Sequence, residues 1–177
     1  MDLPAGIPAA LAALAAPGPH PGLAGEMKLF GQFVGSWELD VTWHEGAHAG
    51  QTAKGEWHFA YVLEGRAIED VWIVPSRAER LRGAEPYEWG TTLRFYDAAI
   101  GAWRSTWIGP AQGAVIPFIG RAVGGEIVLE GRSAEDWPMR WIFSDMTPDT
   151  FRWRQMRSPD GGATWRLYQS MAVRRAA

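Results

Sequence analysis

The chain has 177 residues, a formal charge of −3, no cysteine and eleven tryptophans. That length suits one domain that buries a substantial core without staples. The lack of cysteine excludes disulfides, thiolate metal sites and cysteine nucleophiles, and the mild acidity argues against a surface built for nucleic acid.

No apolar run reaches the length of a membrane span. The first eighteen residues are rich in alanine but carry Asp2 and no basic residue, unlike a secretory signal, so a cytoplasmic protein is expected. Residues 3–16 predict a short helix ended by Pro17-Gly18-Pro19. Leu23, Met27, Phe30 and Val34 recur at helical spacing and predict a second helix over 22–34. Residues 1–32 are therefore read as a helical lead-in, and 33–177 as the main domain.

From Phe33 the period changes. Trp37, Leu39, Val41 and Trp43 alternate with Glu38, Asp40, Thr42 and His44, which predicts a strand at 36–44 with one face on a core. A second strand follows at 54–63, where Trp57, Phe59, Tyr61 and Leu63 share a face, and Glu64-Gly65 supplies a hairpin turn. The strand at 66–74 sets Arg66, Ile68, Asp70, Trp72 and Val74 on one face. Residues 75–89 are charged and bounded by proline, a candidate rim loop whose Tyr87 and Trp89 could shield a mouth.

Further strands are predicted at 90–96, 102–108, 115–122, 126–131, 138–145, 150–157 and 164–174, nearly all joined by short Gly-, Pro- or Asp-containing turns. No helical period lies between them, which excludes parallel βαβ units. About ten consecutive antiparallel strands leave costly free edges unless they close. The expected fold is a closed antiparallel up-and-down β-barrel with one or two short N-terminal helices.

Gly35-Ser36-Trp37 after a short helix resembles the Gly-x-Trp signature of lipocalins and other calycins. Leu63-Glu-Gly-Arg-Ala-Ile-Glu-Asp70, Phe95-Tyr-Asp-Ala-Ala-Ile-Gly-Ala-Trp103, Phe151-Arg-Trp-Arg154 and Ser158-Pro-Asp-Gly-Gly-Ala-Thr-Trp165 are similar to a group of bacterial lipocalin-like proteins. The resemblance covers roughly residues 30–175 and implies a barrel with an internal pocket, not a reaction. It also implies an arginine from the last strand lying over Trp37. Strand parity favours Arg175, then Arg174, and a guanidinium on an indole face is favourable.

The candidate ligand-binding residues lie on the aromatic faces of these strands: Trp43, Tyr61, Arg66, Asp70, Trp72, Arg94, Tyr96, Trp107, Trp153, Gln155 and Gln169. Arg66 and Asp70 share a face, so both are inside with partners or both are outside, since burying one alone is costly. Thr92, Arg94 and Tyr96 would form a polar inner face, whereas ordinary amphipathic patterning would turn Leu93 and Phe95 inward instead. Gln155 and Gln169 each share a face with a tryptophan, and would either bind a ligand or satisfy each other in the core.

His44-Glu45-Gly46-Ala47-His48 matches His-Glu-x-x-His, but zinc chemistry needs that motif on a helix. Here it follows a strand and contains glycine, so no metal is expected. Nitrobindin-type barrels hold haem through a late histidine, and this chain has none after His58, so no cofactor is expected either. Neither a nucleophile elbow nor a phosphate-binding loop occurs, and no residue is assigned as catalytic.

Three readings follow. The first is a binding protein for a small, mostly apolar or aromatic molecule, acting without nucleic acid or membrane, with homodimerisation left open. The second is a cofactor-independent cyclase, isomerase or decarboxylase using the same cavity. The third is a barrel filled by its own tryptophans. Asp70 or Arg94 lining the cavity with a shifted pKa would favour the second, a dry and fully apolar cavity the first, and a cavity filled by tryptophans the third.

Overall fold

A computed structural model describes Gly6 and residues 8–177. Part of the helix predicted over 3–16 falls outside these residues; within them, α1 is Ala9–Leu14. A 3-10 turn at Pro21–Leu23 and the short helix α2, Lys28–Gly31, replace the longer helix predicted over 22–34.

The strands are β1 Gly35–Trp43, β2 Thr52–Val62, β3 Ala67–Val74, β4 Glu88–Asp97, β5 Ala102–Gly109, β6 Ala114–Val123, β7 Glu126–Arg132, β8 Pro138–Ser144, β9 Thr150–Arg157 and β10 Arg166–Arg175. Each pairs antiparallel with its sequence neighbours, and β10 pairs with β1, closing a ten-stranded up-and-down barrel. Closure removes every sheet edge. Among the described residues no helix is long and apolar enough to cross a membrane.

The seam between β1 and β10 sets Trp37 opposite Arg175. The Arg175 guanidinium lies 4.1 Å from the Trp37 ring centroid. The Trp37 indole N–H donates to the carbonyl of Phe33 at 2.6 Å, which ties the start of β1 to the segment after α2.

The barrel has two unlike ends. At one, α2 carries Phe30 into the lumen and the segment behind it carries Phe33, both essentially inaccessible. Phe33 packs at a tilt against Phe151 and Phe143 at 4.7 and 5.0 Å, and Phe30 meets Trp103 edge-on at 4.8 Å. Side chains from β1, β5, β8 and β9 thus close that end around a helical plug. The β1–β2, β3–β4, β5–β6, β7–β8 and β9–β10 connections gather at the other end.

The end of β2 and the stretch after β3 differ from the sequence expectation. β2 stops at Val62, because Leu63 and Glu64 take left-handed φ angles of 53° and 57°. Leu63 is exposed, while Val62 lies under the N-terminal segment, where Ala15 bridges it and the Ala16 N–H donates to the carbonyl of Tyr61 at 3.0 Å. The stretch 75–89 is not only loop. Ser76 caps α3, Arg77–Leu81, by accepting from the Glu79 N–H at 3.2 Å. Arg80 then donates to the carbonyls of Pro75, Val74 and Glu88, fastening this connection to the barrel rim.

Candidate functional site

Above the plug lies a cavity of about 260 Å³ that opens toward the loop-rich end. Its wall is a belt of five indoles from five strands: Trp57 on β2, Trp72 on β3, Trp107 on β5, Trp141 on β8 and Trp153 on β9. Ring centroids run from Trp72 to Trp107 at 6.0 Å, to Trp141 at 5.8 Å, to Trp153 at 5.4 Å and to Trp57 at 6.4 Å. Trp57 and Trp72 are register partners, which completes the ring. Edge-to-face contacts of this kind hold the rings upright rather than collapsing them into the lumen. Gly90 makes room for one of them, since a Cβ there would stand 2.4 Å from the tip of the Trp107 ring.

Polar groups are few and belong to known strand positions. Thr92, Gln155 and Gln169 face the cavity and are buried. Arg157 stands at the mouth on Tyr168, its guanidinium 3.6 Å from that ring centroid. With its amide turned so that the oxygen faces Arg157, Gln155 accepts from Arg157 Nε and Nη2 at 2.8 and 3.0 Å. Arg157 Nη1 also approaches Glu135 at 3.4 Å. Glu88 is 2% exposed, and its carboxylate accepts from the backbone N–H groups of Trp89, Ala111 and Gln112 at 2.9, 3.1 and 3.0 Å. It works as a clamp on the β5–β6 turn at the rim. Tyr87 beside it has its phenol pushed up by burial, so its hydroxyl stays protonated.

Several buried donors have no partner among the described residues. They include Nε1 of Trp141 and Trp153 and Nε2 of Gln169, atoms that are themselves inaccessible although their side chains border the cavity. The Trp72 indole N–H, by contrast, is spent on Met171 Sδ at 3.3 Å.

Asp70 and Arg94 form a second polar feature beneath the cavity floor, 0% and 1% exposed, joined by a close ion pair. The Arg94 guanidinium also sits 4.9 Å from the Phe30 ring and 5.5 Å from that of Phe59. Burial pushes the Asp70 carboxyl up, opposed by the Arg94 charge, the Trp57 indole and the Thr92 hydroxyl. The pair belongs to the plugged half, and neither residue lines the cavity.

Of the candidate residues, Trp72, Trp107, Trp153, Gln155 and Gln169 meet around one space. The others go elsewhere. Trp43 packs against Tyr87 at 5.0 Å near the β1–β2 turn, outside the cavity lining. Tyr61 lies at the plugged end against Gly31 of α2. Tyr96 sits 6.2 Å from Trp103 at that same end.

Arg66 corrects the sequence expectation. β3 starts at Ala67, so Arg66 belongs to the preceding turn, escapes the strand's alternation and bonds His20 at 2.9 Å in solvent. The alternation on β4 is the reverse of ordinary amphipathic patterning: Thr92 and Arg94 point in and Phe95 is 44% exposed. Asp70, opposite Thr92 in register, provides the internal partner that permits it.

Sequence reading did not select Trp57, Trp141, Glu88 or Arg157 for the site. Trp141 shares a face with Met139 and Phe143, and Arg157 with Trp153 and Gln155, so parity alone could have added both. Glu88 had no such signal, because its role depends on the distant Ala111–Gln112 turn. His44 Nε2 is bound to Ser170 Oγ at 2.8 Å and His48 Nδ1 to Gln51 Oε1 at 3.2 Å, so the two histidines face different partners. On the outer wall, His58 links Ser36 at 2.9 Å to Glu56 at 3.2 Å, but no cavity adjoins that relay.

No family model and no curated protein sequence matches the chain. Solved structures do share its fold. Rv2717c from M. tuberculosis is 13% identical, with a TM-score of 0.59 over 87% of this chain and 99% of that one. The S-type phycobiliprotein lyase CPES from Guillardia theta is 14% identical, with a TM-score of 0.55 over 86% and 93% of the two chains. The likeness is one of fold, a closed antiparallel β-barrel.

Proposed function

We propose that the chain is a lipocalin-like binding protein that holds a small, mostly apolar aromatic molecule inside the indole belt. The single observation that carries this reading is the unfilled space itself. Five large aromatic side chains surround about 260 Å³ instead of packing into it. Small-molecule sites are typically preformed, mostly apolar clefts walled by aromatic side chains. At about 30 Å³ of liquid per water, the space matches roughly nine waters, enough for a ligand of one or two rings.

The catalytic alternative needs a free acid or base against the ligand. Glu88 has its carboxylate taken by three backbone N–H groups, and Asp70 and Arg94 neutralise each other outside the lining. That distribution of charge favours binding over chemistry. The likeness to a phycobiliprotein lyase supports the barrel and not the reaction.

Tryptophan fluorescence and calorimetric titration of the full chain with one- and two-ring aromatics test the proposal. Saturable binding, with quenching that weakens in a Trp141→Leu variant, is expected. Absence of saturable binding by every member of such a panel, together with no small molecule retained in native mass spectra of fresh protein, would sink it.

A further inference from the structure

Two charged side chains line the cavity among the described residues, Glu88 on β4 and Arg157 on β9. In the closed strand order β4 and β9 stand five places apart either way round, so the two charges belong to opposite walls. They are not equally free. Glu88 is closed off, because its carboxylate already accepts from three backbone N–H groups and is 2% exposed. Arg157 is fixed in place but incompletely paired.

The ring of Tyr168 lies under the Arg157 guanidinium, 3.6 Å from its centre. With the Gln155 amide turned toward it, that oxygen takes Nε and Nη2 from the side. A guanidinium carries five N–H donors in a rigid fork, so its Nη1–Nη2 end is still open. The protein partner at that end is Glu135, whose carboxylate stands 3.4 Å from Nη1. Charge-assisted hydrogen bonds are usually about 2.7–2.9 Å long, so this contact is loose. Glu135 belongs to the β7–β8 connection and its side chain is 48% exposed, where an ion pair contributes little. Its carboxyl is held low by the Ser133 hydroxyl first and by its own backbone next, with Arg157 contributing least. Glu135 therefore remains charged and solvated when another anion takes Arg157.

Trp153, Gln155 and Arg157 are alternate residues of β9, and all three line the cavity. At about 3.3 Å per residue, Arg157 stands roughly 13 Å along the strand from Trp153. The wall thus passes from indole to neutral amide to cation as it rises to the mouth. A matching ligand has rings at one end and one acid at the other. Its carboxylate stays at the opening, where it keeps part of its hydration and meets the two-pronged end of the guanidinium.

On the reading that the cavity binds an aromatic molecule, we infer that its occupant is an aryl-substituted carboxylic acid, bound as the carboxylate, whose oxygens take the open end of Arg157 in place of Glu135 while its rings lie in the indole belt. Arg157 thereby fixes which end of the ligand enters first.

Three probes of nearly one shape test this on the unmodified chain at neutral pH: 2-naphthylacetate, 2-naphthylacetamide and 2-(2-naphthyl)ethylamine, titrated by calorimetry. The acid is expected to bind about tenfold tighter than the amide, as for a hydrogen bond to a charged group. The amine, a cation at that pH, is expected to bind more weakly than the amide. Added salt should weaken the acid and not the amide.

Arg157→Gln should bring the ratio of acid to amide affinity to about one. Glu135→Gln removes the competing carboxylate from outside the lining and should raise that ratio about threefold. Equal binding of acid and amide by the unmodified chain, or tighter binding of the amine, overturns the inference while leaving the aromatic cavity standing. A preference for the acid that survives in Arg157→Gln overturns it too, and an unchanged ratio in Glu135→Gln overturns the exchange with Glu135. If none of the three binds, the reading of the cavity falls, and this inference with it.

Discussion

The two halves of the barrel are built from the same ten strands and the same kind of residue, yet one is filled and the other hollow. In the filled half, phenylalanines from α2 and the segment after it enter the lumen, and Phe33 contacts Phe143 and Phe151 within about 5 Å. In the hollow half no helix enters, and only rim residues such as Tyr87, Gln112 and Ser133 border the space from the connections. The indoles lean on one another around the wall, at 5.4 to 6.4 Å between neighbours. A chain segment crossing the lumen thus decides whether aromatic side chains make a core or a container. The plugged end therefore carries the tighter aromatic packing.

The sharpest way to break this contrast is at the Asp70–Arg94 pair. Arg94→Met leaves a buried carboxyl without its partner and is expected to cost about 3–5 kcal/mol in urea unfolding. The joint change Asp70→Leu with Arg94→Met should recover much of that loss, because a well-packed apolar pair is often no worse than a buried ion pair. If Arg94→Met alone is neutral, the pair does not organise the plugged half.

The next comparison sets one aromatic from each half side by side. Phe33→Ala removes a fully buried ring from a packed site and should cost about 3–4 kcal/mol, the range for large core truncations. Trp153→Phe borders empty space on one side and keeps most of its contacts, so it should cost under about 1.5 kcal/mol. Denaturant midpoints with unchanged slopes would establish both values. Equal costs would mean that the two ends are packed alike.

The same contrast explains what could be read from the amino acids and what could not. Closure was legible, because ten alternating segments with short turns have only one economical way to hide their edges. Trp72, Trp107, Trp153, Gln155 and Gln169 could be set on inward faces by parity within their own strands. Arg66 misled because parity was carried one residue past the start of β3, into a turn. Arg94 pointed the unexpected way because its partner lies on the neighbouring strand, 24 positions earlier in the chain. Alternation within a strand shows which residues share a face, but not which face meets the lumen when a charged pair can neutralise itself inside. The depth of each residue along the barrel was equally hidden. Tyr61 and Tyr96 lie beside the plug because of where α2 enters, which no strand pattern encodes.

A smaller effect is expected at the rim. Glu88→Gln keeps the size of the side chain but turns part of its acceptor surface into a donor facing the N–H groups of Ala111 and Gln112. The cost should be about 2 kcal/mol, in the range for hydrogen bonds to a charged group. It should appear as faster hydrogen exchange at those two amides, with the exchange of β1 and β10 amides unchanged. Equal acceleration across the barrel would show that Glu88 supports the whole fold rather than the mouth.

The smallest effect concerns pH and the outer wall, away from both halves of the lumen. Partial burial pushes the Glu56 carboxyl up, but the Arg77 guanidinium, the Arg77 backbone N–H and His58 outweigh it and hold the pKa at about 2, against an ordinary 4.5. The folded-state value is depressed, so the contribution of Glu56 is fully present above pH 4.5 and is lost as pH falls toward about 2. Glu56→Gln should therefore cost about 1 kcal/mol near neutrality, as for a solvent-screened ion pair. The gap between the two proteins should close through that acid window. Asp40, Asp97 and Glu135 are also held low by their partners, so both proteins lose stability in acid. Their contribution is common to the two and cancels in the difference, and ligand affinity measured at neutral pH should not change. A gap that stays constant down to pH 2 would mean that the Glu56–Arg77 contact is not electrostatic in origin.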